Sequence, residues 1–370
     1  MLKVGEAKKV LKQLIKQYYK QGANLKPPVI YLEGGPGIGK TSIVRQIAKE
    51  LNVEFLETDL LSRGPQDFQI IWPNSQSKTA DILIPENSIF PTFEKGIWLF
   101  DEFVSAQSDL QTLIKRFINE RILPNGKKLP DGIITILTGN RINDNATRYQ
   151  TPAPVVNSFL YYELSPDPMD WVINYAHPNE IHDIVISFIT TYSDKFYTYN
   201  SENWDGKQFA SPRSYEMLSN LLKILGENLN IEHVIATVGT EVAFQFQTFT
   251  NFVIKLPKIE TILNDDMTVS DAIRAAKIKP NTSDEIGAQV FIMEAAHNYI
   301  IKNPNKLDKF FNLISKVPSE GIAVASMLQT IKQLISKNII KLNDPNIKNI
   351  FDKIANTYKD YVNILTEEKE

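Results

Sequence analysis

Short apolar runs alternate with amphipathic stretches through the first half of this chain. Runs at Val29–Glu33, Val53–Thr58, Ile97–Phe100, Ile133–Thr138 and Phe159–Leu164 are β-branched or aromatic and are bounded by Gly, Pro, Asn or Asp. That pattern predicts strands buried on both faces. After the first run, Ile43, Ile47, Ala48 and Leu51 repeat at helical spacing. After the third, Phe103, Ala106, Leu110, Leu113, Ile114 and Phe117 do the same and predict one helix lying against the sheet. Strands alternating with helices predict an α/β domain with a five-stranded parallel sheet. Residues 3–20 precede it as a basic helix, with Val10, Leu14 and Tyr18 in a stripe and Lys8, Lys9, Lys12, Lys16 and Lys20 around it. Such a helix either contacts nucleic acid or a membrane, or packs on the domain with its lysines in solvent. Residues 63–91 are polar and proline-broken, which predicts a surface excursion. Its Phe68, Trp72 and Phe90 are either buried or available to grip a partner.

The second half changes period. Asp167-Pro168-Met169-Asp170 is a helix start, with a cap, proline at N1 and an acid at N3. Ile181, Ile184, Val185, Phe188, Ile189 and Tyr192 form a core stripe. Residues 202–211 are loop-like, and Ser211-Pro212-Arg213 opens a helix bearing Tyr215, Leu218, Leu221, Leu222 and Leu225. Helical patterning then continues, broken by prolines. The expected organisation is a basic helix over 1–26, an α/β domain over 27–200, a helical segment over 201–260 and a further helical region over 261–370.

Composition narrows the chemistry. At 370 residues with 43% hydrophobic content, the chain can build more than one core. Absence of cysteine excludes disulfides, thiolate metal sites and cysteine nucleophiles. His177, His182, His233 and His297 show no convincing ligand spacing and are expected at the surface or partly buried. A net charge of -3 gives no general attraction to nucleic acid. No secretion signal and no apolar run of ~18 residues is visible, so an intracellular, cytoplasmic protein is expected. Only 8 arginines stand against 32 lysines, so each arginine is a candidate for a position that needs a planar fork.

The candidate chemistry begins at Gly34-Gly35-Pro36-Gly37-Ile38-Gly39-Lys40-Thr41, a complete phosphate-binding loop between a strand and a helix. Backbone amides from Gly35 to Ser42 and the helix dipole make an anion site there. Lys40 can neutralise phosphate oxygens, and Thr41 can ligate magnesium. The apolar strand Ile97-Trp98-Leu99-Phe100 delivers Asp101 and Glu102 to the same sheet edge. Asp101 suits Mg2+ and Glu102 can polarise the attacking water. Another buried strand carries Asn140, whose amide can hold water and the γ-phosphate. Arg213 sits in a first helical turn, where a cation opposes the dipole unless a phosphate is bound. Competing readings are a solvated acidic pair, an ordinary turn asparagine and an exposed arginine.

Together these residues resemble the AAA+ ATPases of the MoxR-type branch. Gly34–Thr41 resembles Walker A, Trp98-Leu99-Phe100-Asp101-Glu102 Walker B, and Thr138-Gly139-Asn140-Arg141 the sensor 1 segment. The stretch from Pro168 to Ala176, containing Trp171, is similar to the tryptophan helix of that branch. Ser211-Pro212-Arg213-Ser214-Tyr215-Glu216 resembles its sensor 2, and Val238-Gly239-Thr240-Glu241-Val242-Ala243 with Phe246 and Phe249 looks like the segment beyond the lid. The resemblance spans roughly residues 3–330.

It implies an AAA+ P-loop fold with a helical lid and helical C-terminal region, binding ATP and Mg2+. It also implies a homo-oligomer, typically a hexameric ring, that remodels or matures a protein client, often one with a von Willebrand A-type domain. The absence of an Asn-Lys-x-Asp signature favours ATP over GTP. One position departs from the family. Where an arginine normally reaches the neighbour's γ-phosphate, this chain has Asn157-Ser158-Phe159. Arg148 is the first candidate substitute and Arg141 the second. That departure opens an alternative, a nucleotide-switched scaffold with weak hydrolysis. A DNA-processing ATPase is a third reading, supported only by the basic first helix.

Overall fold

The computed structural model describes residues 1–21, 25–85, 89–141, 144, 157–279 and 282–340. The chain divides into two compact units, one of residues 1–171 and 197–214, the other of residues 172–196 and 215–370.

The first unit is built on a sheet of six parallel strands: β1 (Leu2–Lys3), β2 (Val29–Glu33), β3 (Glu54–Asp59), β6 (Lys95–Asp101), β7 (Gly132–Gly139) and β8 (Leu160–Ser165). Their order is β1-β8-β2-β7-β6-β3. Five strands follow the expected apolar runs. The sixth corrects the expected count: Leu2 and Lys3 pair with Leu164 and Ser165 before the first helix begins. Two residues carry no periodicity, so only the free edge of β8 could reveal that strand.

Helix α1 (Val4–Gln21) buries Ala7, Leu11 and Ile15, while Val10 is 41% exposed. The expected Val10 stripe is therefore displaced by one position. Its lysines face α2 (Lys40–Leu51): Lys8 reaches Gln46 and Glu50, and Lys12 also reaches Glu50. The basic helix thus packs on the domain. Helix α3 (Ser108–Glu120) follows a separate 3-10 turn, Phe103–Ser105. The continuous helix expected after the acids is broken at Ala106 and Gln107, whose ψ of 154 and 146 are extended and not helical.

Residues 70–83 form a hairpin of β4 (Ile70–Asn74) and β5 (Thr79–Leu83). Phe68 and Phe90 are buried beside Trp98 and Phe117, whereas Trp72 is 61% exposed. The rare arginines include two forks. Arg121 is buried and donates to the carbonyls of Ile133 and Pro130, and Arg45 grips Glu57 with two nitrogens. Helix α4 (Pro168–Trp171) starts as expected, with Asp167 accepting from the amide of Asp170 at 2.8 Å.

The second unit is helical: α5 (Asp183–Thr191), α6 (Pro212–Leu225, entering from the first unit), α7 (Ile231–Val238), α8 (Thr240–Val253), α9 (Ile259–Asn264), α10 (Val269–Ala275), α11 (Ser283–Lys302), α12 (Leu307–Ile314) and α13 (Glu320–Ser336). Phe188 of α5 meets Phe246 and Phe249 of α8 in edge-on contacts. His177 and His297 are fully buried here, with ring centroids 5.0 Å apart. This corrects the expectation of surface or partly buried histidines. Single polar residues on apolar helix faces carry no sequence mark of burial. Among the described residues, no helix is long and apolar enough to cross a membrane.

Candidate functional site

The carboxyl ends of β2, β6 and β7 converge on one edge, where short side chains and backbone make the site. The loop after β2 is fastened at its start, with the Gly34 amide donating to the Gly139 carbonyl at 3.2 Å. Gly37 and Gly39 adopt φ 75 and 106, a left-handed backbone that glycine accepts without strain. Gly39 also caps α2, so the loop passes directly into a helix N-terminus. Ile38 turns inward into the core, while Pro36 and Ser42 are half-buried.

Lys40 is buried and fully engaged. Its ammonium donates to the carbonyls of Gly34 (2.8 Å) and Gly35 (3.0 Å) and to Oδ1 of Asn140 (2.8 Å). Burial lowers its pKa to about 8, opposed by the carboxylates of Glu102, Asp101 and Asp144. All three of its acceptors are neutral oxygens, so burial of the charge is only partly compensated.

The two acids are separated by their surroundings. Asp101 accepts from Thr41 Oγ1 at 2.9 Å on one oxygen and from Thr138 Oγ1 on the other. The amide of Glu102 sits 3.3 Å from Thr138 Oγ1. The Glu102 carboxylate accepts from Asn140 Nδ2 at 3.0 and 3.3 Å and from Ser105 Oγ at 3.2 Å. Lysine, asparagine and glutamate are thus one hydrogen-bonded chain, with the threonine–aspartate pair beside it.

Arg213 opens α6 within the first unit. Its amide donates to the Gly37 carbonyl at 3.2 Å, and Ser211 and Ser214 cap the turn reciprocally. The Arg213 side chain is exposed, and among the described residues no carboxylate lies within ion-pair distance of it. Arg141 lies 4.0 Å from Glu163, and its amide donates to Asp144. Ser158 is exposed at the turn leading into β8. Arg148 lies outside the described residues.

A reading of the sequence places Thr138 in the sensor 1 segment without a role of its own and misses Ser105 and Tyr197. Thr138 holds Asp101, Ser105 holds Glu102, and the Tyr197 hydroxyl donates to the Pro36 carbonyl at 3.2 Å. Thr138 leaves a faint signal, a polar residue ending an apolar strand. Tyr197 leaves none.

The donor set fits a nucleotide and a divalent ion: a buried ammonium, a loop of amides, and a hydroxyl with a carboxylate. A parallel sheet ending in such a loop, with a helical region following, defines an AAA+ P-loop fold. Residues 30–148 match the model of the AAA family, the ATPase family associated with various cellular activities. No curated protein matches the sequence. Among solved structures, a point mutant of the Thermotoga maritima RuvB protein is 15% identical, covering 80% of this chain and 89% of its own, with a TM-score of 0.41. The Thermotoga maritima RuvB Holliday junction branch migration motor is also 15% identical, covering 78% and 87%, with a TM-score of 0.38. Likenesses of that degree say nothing of substrate or partner.

Proposed function

We propose that this chain is a MoxR-type AAA+ ATPase, assembling as a homo-oligomeric, hexameric ring in the cytoplasm and using ATP to remodel or mature a protein client. A client with a von Willebrand A-type domain is the partner class the resemblance favours. The observation that carries the ATPase reading is the continuous Lys40–Asn140–Glu102 chain beside Thr41 and Asp101.

In this reading Lys40 leaves the loop carbonyls for phosphate oxygens, and Thr41 and Asp101 hold Mg2+. The ion supplies charge neutralisation across the phosphates. Glu102 takes the proton of the attacking water, and Asn140 orients that water. Arg213 brings a cation to the same loop through its backbone anchor on Gly37. Arg148 is the proposed finger across the subunit boundary, ahead of Arg141, whose guanidinium already faces Glu163.

Glu102→Gln tests the mechanism. Steady-state turnover should fall at least about a hundredfold while ATP still binds; unchanged turnover would sink the assignment. A second reading, a nucleotide-switched scaffold, is favoured by Ser158 standing where a finger is expected. Nucleotide-dependent assembly with negligible wild-type turnover would select it. Turnover that rises with assembly and collapses in Arg148→Ala would select the inter-subunit ATPase.

A further inference from the structure

A phosphate loop works only if its peptide planes are turned correctly, and two of those planes here are held from outside. The Pro36 carbonyl accepts from the Tyr197 hydroxyl at 3.2 Å, and the Gly37 carbonyl accepts from the Arg213 amide at 3.2 Å. In a planar trans peptide the carbonyl of one residue and the amide of the next point in opposite directions. Fixing the Pro36 carbonyl therefore turns the Gly37 N–H away from Tyr197. Fixing the Gly37 carbonyl turns the Ile38 N–H away from the start of α6. Both donors come from the ends of one segment, residues 197–214.

The contact is close and built. A Cβ on Gly35 would lie 2.1 Å from the Tyr197 hydroxyl, so the phenol holds its place only against a glycine. The ring packs against the apolar cluster that includes Ile38, Ile43 and Leu164, and it touches Tyr199 and Phe209. Burial pushes the phenol pKa up, so the hydroxyl keeps its proton and remains a donor.

We infer that Tyr197 is a positioning residue for phosphate binding: through the Pro36 carbonyl it presets the Gly37 amide toward the β-phosphate of a bound nucleotide. This rests on the nucleotide reading above and deepens it. Losing one neutral hydrogen bond predicts about fivefold weaker binding. The loss should be shared by ATP and ADP, because both carry the β-phosphate the loop holds.

The test titrates the full chain with Mg-ADP and Mg-ATP and measures kcat at saturation, for wild type, Tyr197→Phe and Tyr199→Phe. Tyr199 belongs to the same aromatic group, but its hydroxyl donates to the Asp144 carbonyl instead of the loop. The expected result is weaker binding of both nucleotides in Tyr197→Phe, with kcat and melting temperature close to wild type, and no change in Tyr199→Phe. Wild-type affinity in Tyr197→Phe would overturn the inference. So would an equal loss in Tyr199→Phe, which would mark general packing. Wild-type protein that binds neither nucleotide would overturn the nucleotide reading itself, a result distinguishable from failure of the Tyr197 role.

Discussion

Asn140 spans Lys40 and Glu102, accepting from the ammonium at 2.8 Å through its oxygen and donating to the carboxylate at 3.0 Å through its nitrogen. One amide therefore keeps the phosphate-binding cation and the acid apart while satisfying both.

Asn140→Ala removes both contacts, leaving the buried Lys40 ammonium on the Gly34 and Gly35 carbonyls and the half-buried Glu102 on Ser105. Turnover should fall about ten- to a hundredfold, with a smaller change in nucleotide affinity. Asn140→Asp should be worse, since it sets a second carboxylate against Glu102. Steady-state hydrolysis with parallel nucleotide titrations checks the order. A variant of Asn140 with wild-type turnover would contradict the role.

Lys40 sets a pH limit on binding. Burial brings its pKa down to about 8, so the ammonium is lost as pH rises through that value. A bound phosphate favours the charged form, so binding above pH 8 must take up a proton. Affinity for Mg-ADP should be flat near pH 7 and about tenfold weaker by pH 9. Titrations across that range measure it, and a flat profile would show that another group supplies the charge.

Gly35→Ala places a methyl 2.1 Å from the Tyr197 hydroxyl. The phenol must move and release the Pro36 carbonyl. Nucleotide binding should weaken by more than in Tyr197→Phe. Adding Tyr197→Phe to Gly35→Ala should restore part of the loss, because the nearest atom then becomes the ring carbon at 3.0 Å. A double-mutant cycle with strictly additive effects would separate the two residues.

The second unit has a buried titration of its own. His177 Nε2 lies 3.6 Å from Glu294 Oε2, yet burial and Asp183 push the acid up to about 8, and burial with His297 pushes His177 down to about 3. Burial drives both groups toward their neutral forms, which works against an ion pair. His297 is held down to about 4 by burial and Lys337, against the raising effect of Gln333. A raised acid favours the folded state below its unfolded pKa, and that benefit is lost as pH climbs through 8. A depressed histidine stabilises above its unfolded pKa, and that benefit is lost as pH falls toward 3. Glu294→Gln should therefore flatten the decline in stability from about pH 5 to 8.5, with a gain on the order of 3 kcal/mol at the upper end. Denaturant melts across this range check it; parallel profiles for variant and wild type would contradict it.

Much of the site was legible because its residues are written locally. A glycine loop between a strand and a helix, or two acids ending an apolar strand, must meet at one sheet edge once the strands are parallel. Asn140 follows the same rule, as the polar terminus of another buried strand. Harder to see was what holds these groups. Thr138 and Tyr197 act through hydroxyls whose partners lie 37 and 161 positions away, a separation no local pattern encodes. The outer two-residue strand and the burial of His177 against His297 are invisible for a related reason. Too few residues carry each of them for any periodicity to emerge.

By itself, then, the sequence determined the α/β order, the phosphate loop, the acids and the helical second half, because period and motif are properties of neighbouring residues. Only the tertiary structure decided which oxygen of Asp101 meets Thr41 and which meets Thr138. It also decided that Lys40 donates to Asn140, and that the hydroxyl of a tyrosine far along the chain donates to the loop. Those facts depend on which distant side chains share one small volume, and packing sets that.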